Sequence, residues 1–251
     1  MALPIGLQLF TVQKEIAADR DGTFRELARI GYDGVELAPT DWPDVAELKS
    51  LLTETGLKLM SRHVPFARIR DKFDEVRDYC QELGIKNVVV PSIPGPAYQN
   101  EDELRKIVEQ IAVIARNCRE SGLRCSYHNH ATEFQNTIQG QEVFDFIFEQ
   151  VGTELLNAQI DTFFVEQVEK NPAQYVRRFS GHIPLLHCKD KANAPGAVQT
   201  EVGRGTIDWP AVFQAAKDAG VEWLIVEQNC GDEPALPSVR MSYDFVKSLN
   251  A

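Results

Sequence analysis

No apolar run in the sequence approaches the roughly 20 residues of a membrane-spanning helix. The opening MALPIGLQLF lacks the basic flank and long apolar core of a secretory signal, so a cytoplasmic protein is expected. No Cys-x-x-Cys pair occurs either. Cys80, Cys118, Cys125, Cys188 and Cys230 are odd in number and widely scattered, which argues against zinc-finger and dithiol redox sites and predicts free thiols in a reducing compartment. No Gly-x-Gly-x-x-Gly loop follows the first apolar stretch, which argues against a doubly wound dinucleotide-binding sheet. No linker or low-complexity segment divides residues 1–251, so one domain is expected. Positive charge is in deficit, with 26 Lys and Arg against 37 Asp and Glu. The net charge of −11 disfavours nucleic acid and anionic membrane surfaces as partners.

What the chain does have is glycine at regular stations. With 43% hydrophobic residues over 251 positions it can bury one large core. Seven helical patterns end in Gly31, Gly56, Gly84, Gly122, Gly152, Gly181 or Gly220, each followed closely by a β-prone run such as GVEL, NVVV or WLIV. The opening strand IGLQLF makes the eighth. Helices fill the intervals: TFRELARI begins with a Thr23 to Glu26 capping box, and DWPAVFQAAKDA with Asp208 as N-cap and Pro210 in the first turn. The longest helix places Leu104, Ile107, Val108, Ile111 and Ile114 on one stripe. Eight strand–helix repeats in this length predict an α/β fold, a single (β/α)8 TIM barrel.

In such a barrel the chemistry sits where the strands end, at their C-terminal edge. Those positions hold Gln8, Glu36, His63, then His128, His130 and Glu133, then Asp161, His187 with Lys189, and Glu227. Four of the five histidines fall there, His182 being the exception. The alternation in SYHNHATEF puts His128 and His130 on one face. Glu133, Asp161, His187 and Glu227 come from four consecutive strands. Three oxygen ligands and one imidazole suit a hard or borderline divalent cation, with one coordination position open for substrate. Taken singly, Asp161 and Glu133 are also ordinary candidates for capping the helices that follow them.

Together, YHNHATEF, IDTFF, HCKD, GRGTIDW and IVEQN, in this order and spacing, resemble the sugar phosphate isomerase/epimerase family of the xylose isomerase-like TIM barrel superfamily, which also holds inosose dehydratase and 3-keto-glycoside lyase relatives. The resemblance spans nearly the whole chain. It implies one divalent metal ion, manganese first and magnesium, cobalt or zinc as alternatives, on Glu133, Asp161, His187 and Glu227. It implies that Glu133, Glu227 and His130 carry proton transfer. It places His63, His128, Lys189, Arg204, Glu36 and Gln8 against a small sugar substrate, and Asp190 behind them as a group that orients a ligand. Barrels of this kind often pair through loops around the active site, so a homodimer is also expected.

The implied reaction is sugar isomerisation or epimerisation. A cation on a carbonyl and its neighbouring hydroxyl acidifies the adjacent C–H and stabilises the enediolate. Carboxylates on opposite faces then move the proton. If an oxygen lies β to the carbonyl and His130 assists its departure, the same intermediate gives a lyase or dehydratase instead. Gly203, Arg204 and Gly205 could hold an anion near a helix N-terminus, yet a neutral keto sugar ranks ahead of a phosphorylated one. Two departures from the family pattern, Phe163 and Phe164 after DT and Asn229 in VEQN, predict a pocket unlike the usual one.

Overall fold

In the computed structural model, which describes every residue except 1, 41, 197, 232 and 251, eight parallel strands close into a barrel. They are β1 (Ile5–Gln8), β2 (Gly34–Leu37), β3 (Lys58–His63), β4 (Asn87–Val90), β5 (Arg124–His128), β6 (Leu156–Asp161), β7 (Leu185–Cys188) and β8 (Trp223–Val226), and β8 pairs back onto β1. Helices lie between successive strands, so the expected architecture is the one observed. No described helix is long and apolar enough to cross a membrane.

The strands are short and buried on both faces, as a parallel sheet wrapped by helices requires. Their outward side chains and the inner faces of the helices form one large apolar shell. The Leu104–Ile114 stripe of the Glu101–Glu120 helix is buried within it. Inside the barrel Met60, Val89, Leu185 and Ile225 form a separate apolar layer. A Cβ on Gly6 would run into the Met60 methyl group, so the glycine is what lets that side chain fill the centre. Above this layer the interior turns polar.

All seven glycines of the sequence pattern take positive φ. The first helix departs from the pattern at its start. It spans Gln13–Ile30 with a break at Asp19, whose φ of −155° is not helical. Asp19 Oδ1 accepts from the Gly22 amide at 2.9 Å, and Thr23 Oγ1 donates to the Asp19 carbonyl at 2.7 Å. Asp19 therefore caps the resumed helix in place of Thr23. Asp208 does act as expected, accepting from the Ala211 amide at 3.1 Å.

Candidate functional site

Strand register assembles the polar layer. Gln8 pairs with Glu36 and Glu36 with Ser61, across a bulge between Val35 and Glu36; His128 pairs with Gln159, and Asp161 with His187. Neighbours in register on parallel strands point the same way, so these side chains converge at one level of the barrel.

Glu36 is fully buried and anchors the layer. Its Oε1 accepts from Gln8 Nε2 at 2.8 Å and faces His187 Nε2 at 2.7 Å and His63 Nε2 at 3.2 Å. Its Oε2 accepts from Ser61 Oγ at 2.6 Å and Gln159 Nε2 at 2.8 Å. Burial would raise its pKa, but the imidazoles of His63 and His187 hold it well below the usual carboxylate range. Glu36 thus grips the imidazoles and does not line the cavity above, where a substrate contact was expected.

The Gln159 amide fixes the tautomer of His128. Because its nitrogen donates to Glu36, its oxygen must accept, and it does so from His63 Nε2 at 2.7 Å and His128 Nδ1 at 3.1 Å. His128 therefore carries its proton on Nδ1 and presents a bare Nε2. Burial, followed by the neighbouring histidines, holds its pKa well below the ordinary value, so the ring is neutral. That Nε2 stands 3.9 Å from Asp161 Oδ2.

Asp161 divides its two oxygens. Oδ1 accepts from the amides of Phe163 at 2.9 Å and Phe164 at 3.3 Å, capping the Thr162–Gln167 helix. Oδ2 is buried without a hydrogen-bond partner. Burial pushes the carboxyl up to about 6 against the pull of Lys189. His187 lies between two carboxylates, with Nδ1 2.8 Å from Glu227 Oε2 and Nε2 on Glu36. Burial alone would depress it, but Glu36 and Glu227 prevail and raise it to about 10. Lys189 Nζ lies 3.1 Å from Glu227 Oε1 and 3.8 Å from Asp161 Oδ2. Glu227 is held well below its usual range, burial being outweighed by Lys189 and His187.

His128, Asp161, His187 and Glu227 each offer one ligand atom, all within 4.8 Å of one another. Ligands about 2.0–2.2 Å from a common ion stand up to roughly 4.4 Å apart, so a small contraction would seat one. Charge agrees. Glu36, Asp161 and Glu227 bring three negative charges against Lys189 and the His187 imidazolium; exchanging the His187 proton for a divalent cation makes the set neutral. The bare Nε2 of His128 and the orphaned Oδ2 of Asp161 are the donors such an ion would satisfy.

Glu133 stands outside this group. β5 stops at His128 and the chain turns into a helix at Ala131, which puts Glu133 on that helix's first turn. Its Oε1 accepts from Tyr98 Oη at 2.6 Å and Tyr127 Oη at 2.8 Å, and its Oε2 from the His130 amide at 2.9 Å. The ligand role implied by the family resemblance is not the one seen: His130 and Glu133 form a capping box, the helix-capping role open to Glu133 from the sequence. His130 does come back beside His128, with ring centroids 4.9 Å apart, and leans on Phe164 at 4.6 Å. Burial lowers its pKa, so the ring is neutral, and it lines the cavity.

The glycine loop is also engaged elsewhere. Asp190 Oδ2 accepts from the amides of Gly203 at 2.8 Å and Gly205 at 3.1 Å and from Trp209 Nε1 at 2.8 Å; Oδ1 accepts from the amides of Lys191 at 2.8 Å and Ile207 at 3.4 Å. The amides expected to bind an anion are spent on this carboxylate. Arg204 is exposed and lies off the cavity. The cavity itself, about 460 Å3, opens over the cluster and is lined by Gln8, His63, His128, His130 and Glu227 on its polar side. Phe10, Phe66 and Ile93 on its other side carried no signal in a search for polar strand ends.

An eight-stranded barrel with a pocket over histidines and carboxylates at its C-terminal mouth defines an enzyme of the TIM-barrel class. The family model for the xylose isomerase-like TIM barrel matches residues 24–249, and the chain belongs to that family. The inosose dehydratase of Clostridium beijerinckii is 23% identical over 248 residues, covering 84% of this chain and 82% of the relative. Among solved structures, a sugar phosphate isomerase/epimerase from Parabacteroides distasonis superposes with a TM-score of 0.83 at 19% identity, covering 97% of each chain. A D-allulose 3-epimerase from Methylomonas superposes with a TM-score of 0.75 at 16% identity, covering 98% of this chain and 97% of the other. Relatives of both outcomes, dehydratase and epimerase, therefore surround it.

Proposed function

We propose that this barrel is a divalent-metal-dependent enzyme that removes the proton next to the carbonyl of a keto sugar or keto cyclitol, and that loss of the β-oxygen follows, making it a lyase of the dehydratase kind. The observation that carries the reading is the meeting of the four-ligand cluster, whose His128 and Glu227 line the cavity and whose Asp161 oxygen is orphaned beneath it, with the neutral ring of His130 on the same cavity lining. His128, Asp161, His187 and Glu227 would hold the ion. Two imidazoles and two carboxylates favour manganese, cobalt or zinc over magnesium. The bound cation supplies the positive charge that acidifies the C–H beside the carbonyl.

His130, being neutral, is able to take that proton. The imidazolium so formed hands it to the departing oxygen, which leaves as water; the C–H and C–O bonds break, a C=C bond forms, and no oxidant or reductant is needed. Lys189 keeps the neighbouring carboxylates charged. The engagement of Glu133 by Tyr98 and Tyr127 weighs against a carboxylate pair on opposite faces, which the epimerase reading requires. The inosose dehydratase relatives favour elimination as well.

The test is an NMR time course in deuterated water with manganese-loaded protein and an inosose or keto hexose. Loss of water with a new alkene signal, reduced about 10²–10⁴-fold in His130→Gln, is the expected result. Deuterium appearing with inversion and no elimination would make the protein an epimerase. Neither exchange nor elimination with any keto substrate would remove the reading.

A further inference from the structure

The cavity over the cluster has two chemically different walls. The polar side carries Gln8 and His63 from the ends of β1 and β3, His128 and His130 from β5 and the turn after it, and Glu227 after β8. The opposite wall, built from the loops after β1 to β4, presents Phe10, Pro39, Pro65, Phe66, Ile93 and Pro94, with the Ser92 hydroxyl its one polar side chain. Among the described residues no lysine or arginine lines the cavity. At about 460 Å3 it falls within the roughly 300–1,000 Å3 of pockets that take drug-sized molecules.

A sugar or cyclitol carries hydroxyls around its whole ring, and each one buried without a partner costs about 1–3 kcal/mol. Pressed against prolines and phenyl rings, such a ring would leave several unpaired. A phosphate would find no cation on that wall, and the Gly203 and Gly205 amides already serve Asp190. The wall suits an apolar group. Phe66 and Ile93 are buried, and Phe10, 39% exposed, stands at the rim where its ring can meet a bound molecule.

We propose that the substrate is a keto sugar bearing an apolar, aromatic substituent, with its polar ring over the His128–Glu227 cluster and its substituent seated between Phe10, Phe66 and Ile93. This rests on the reading that the cluster handles the ketone; the wall sets the class of substrate presented to it. Aromatic groups pack on Phe10 and Phe66 in offset or edge-to-face contact, and the prolines leave no hydrogen-bonding group unsatisfied beneath them.

The test uses ligands without a ketone, so that recognition is measured apart from turnover. Calorimetric titration of the manganese-loaded protein compares phenyl β-D-glucopyranoside, methyl β-D-glucopyranoside and glucose 6-phosphate. Burying one phenyl ring predicts that the phenyl glucoside binds about 10- to 100-fold tighter than the methyl glucoside. Most of that gap should vanish in Phe10→Ser, whose site is exposed enough to leave the fold intact. Equal binding of the two glucosides, tighter binding of the phosphate ester, or no binding of any of the three overturns the proposal. Proton exchange or elimination on a small unsubstituted keto sugar would meanwhile leave the proposed reaction standing, so the two failures are distinguishable.

Discussion

Replacing Glu133 with glutamine separates the ligand set expected from spacing from the one the fold assembles. In the first case the variant loses a metal ligand. In the second it keeps the metal and loosens the turn carrying His130. The magnitude follows from three bonds to one buried carboxylate: two tyrosine hydroxyls and the His130 amide. A hydrogen bond to a charged group contributes about 1.5–3 kcal/mol and a neutral one about 0.5–1.5, so the two tyrosine bonds weaken by roughly 1 kcal/mol each; the glutamine NH2 cannot accept from the His130 amide, and leaving that donor unpaired costs about 2 more, about 4 in all. For a chain of this length that lowers Tm by roughly 8–16 °C. Metal content by elemental analysis should stay at the wild-type level, while His128→Asn loses the ion. Metal lost from Glu133→Gln with Tm unchanged would refute the reasoning and restore Glu133 as a ligand.

Two further outcomes follow from the same groups. A metal on His187 Nδ1 must displace a proton bound with a pKa of about 10, so apparent affinity should rise with pH, about tenfold per unit between the Asp161 value of about 6 and 10. Below about 6 the Asp161 carboxyl must also give up a proton and the slope should approach two; a flat profile in calorimetric titrations would exclude His187. Asp190→Ala removes the acceptor of five donors in and around the 203–209 loop, and should lower stability by about 3 kcal/mol and shift Trp209 fluorescence to the red as its indole meets water. Unchanged emission and Tm would show that the loop holds itself.

The barrel could be read from the sequence because its signals are local. Each βα unit carries its own helix stop, and the eight-fold repetition needs no long-range information. The polar layer was only partly readable. Asp161, His187 and Glu227 stand out in the sequence because each lies at or within one residue of a strand's C-terminal end, and that position brings them together in the cluster. Glu133, five residues beyond the end of β5, lies where the chain has already turned into a helix, and the structure sets it against Tyr98 and Tyr127, apart from the cluster. His128, the last residue of β5, is expected against substrate from the sequence, whereas its register partner Gln159 turns its free nitrogen toward Asp161. Gln159 was invisible because an amide on an apolar strand looks like any buried polar residue until its partners are known. The Arg62 guanidinium stacked 3.5 Å over Trp42 likewise belongs to tertiary packing that no spacing announces.

The two oxygens of Asp161 tie a helix end to the cluster of His128, His187 and Glu227, and this limits what evolution can place there. Asparagine would preserve the cap on Phe163 and Phe164 while surrendering the charge; glutamate would preserve the charge while its longer stem overshoots the cap. The shortest acidic side chain is the one that serves both neighbours. A change in what sits above its free oxygen should therefore be felt along the Thr162–Gln167 helix, whose Phe164 supports His130. Occupancy of the cluster and the posture of the imidazole beside it are then mechanically linked through one carboxylate.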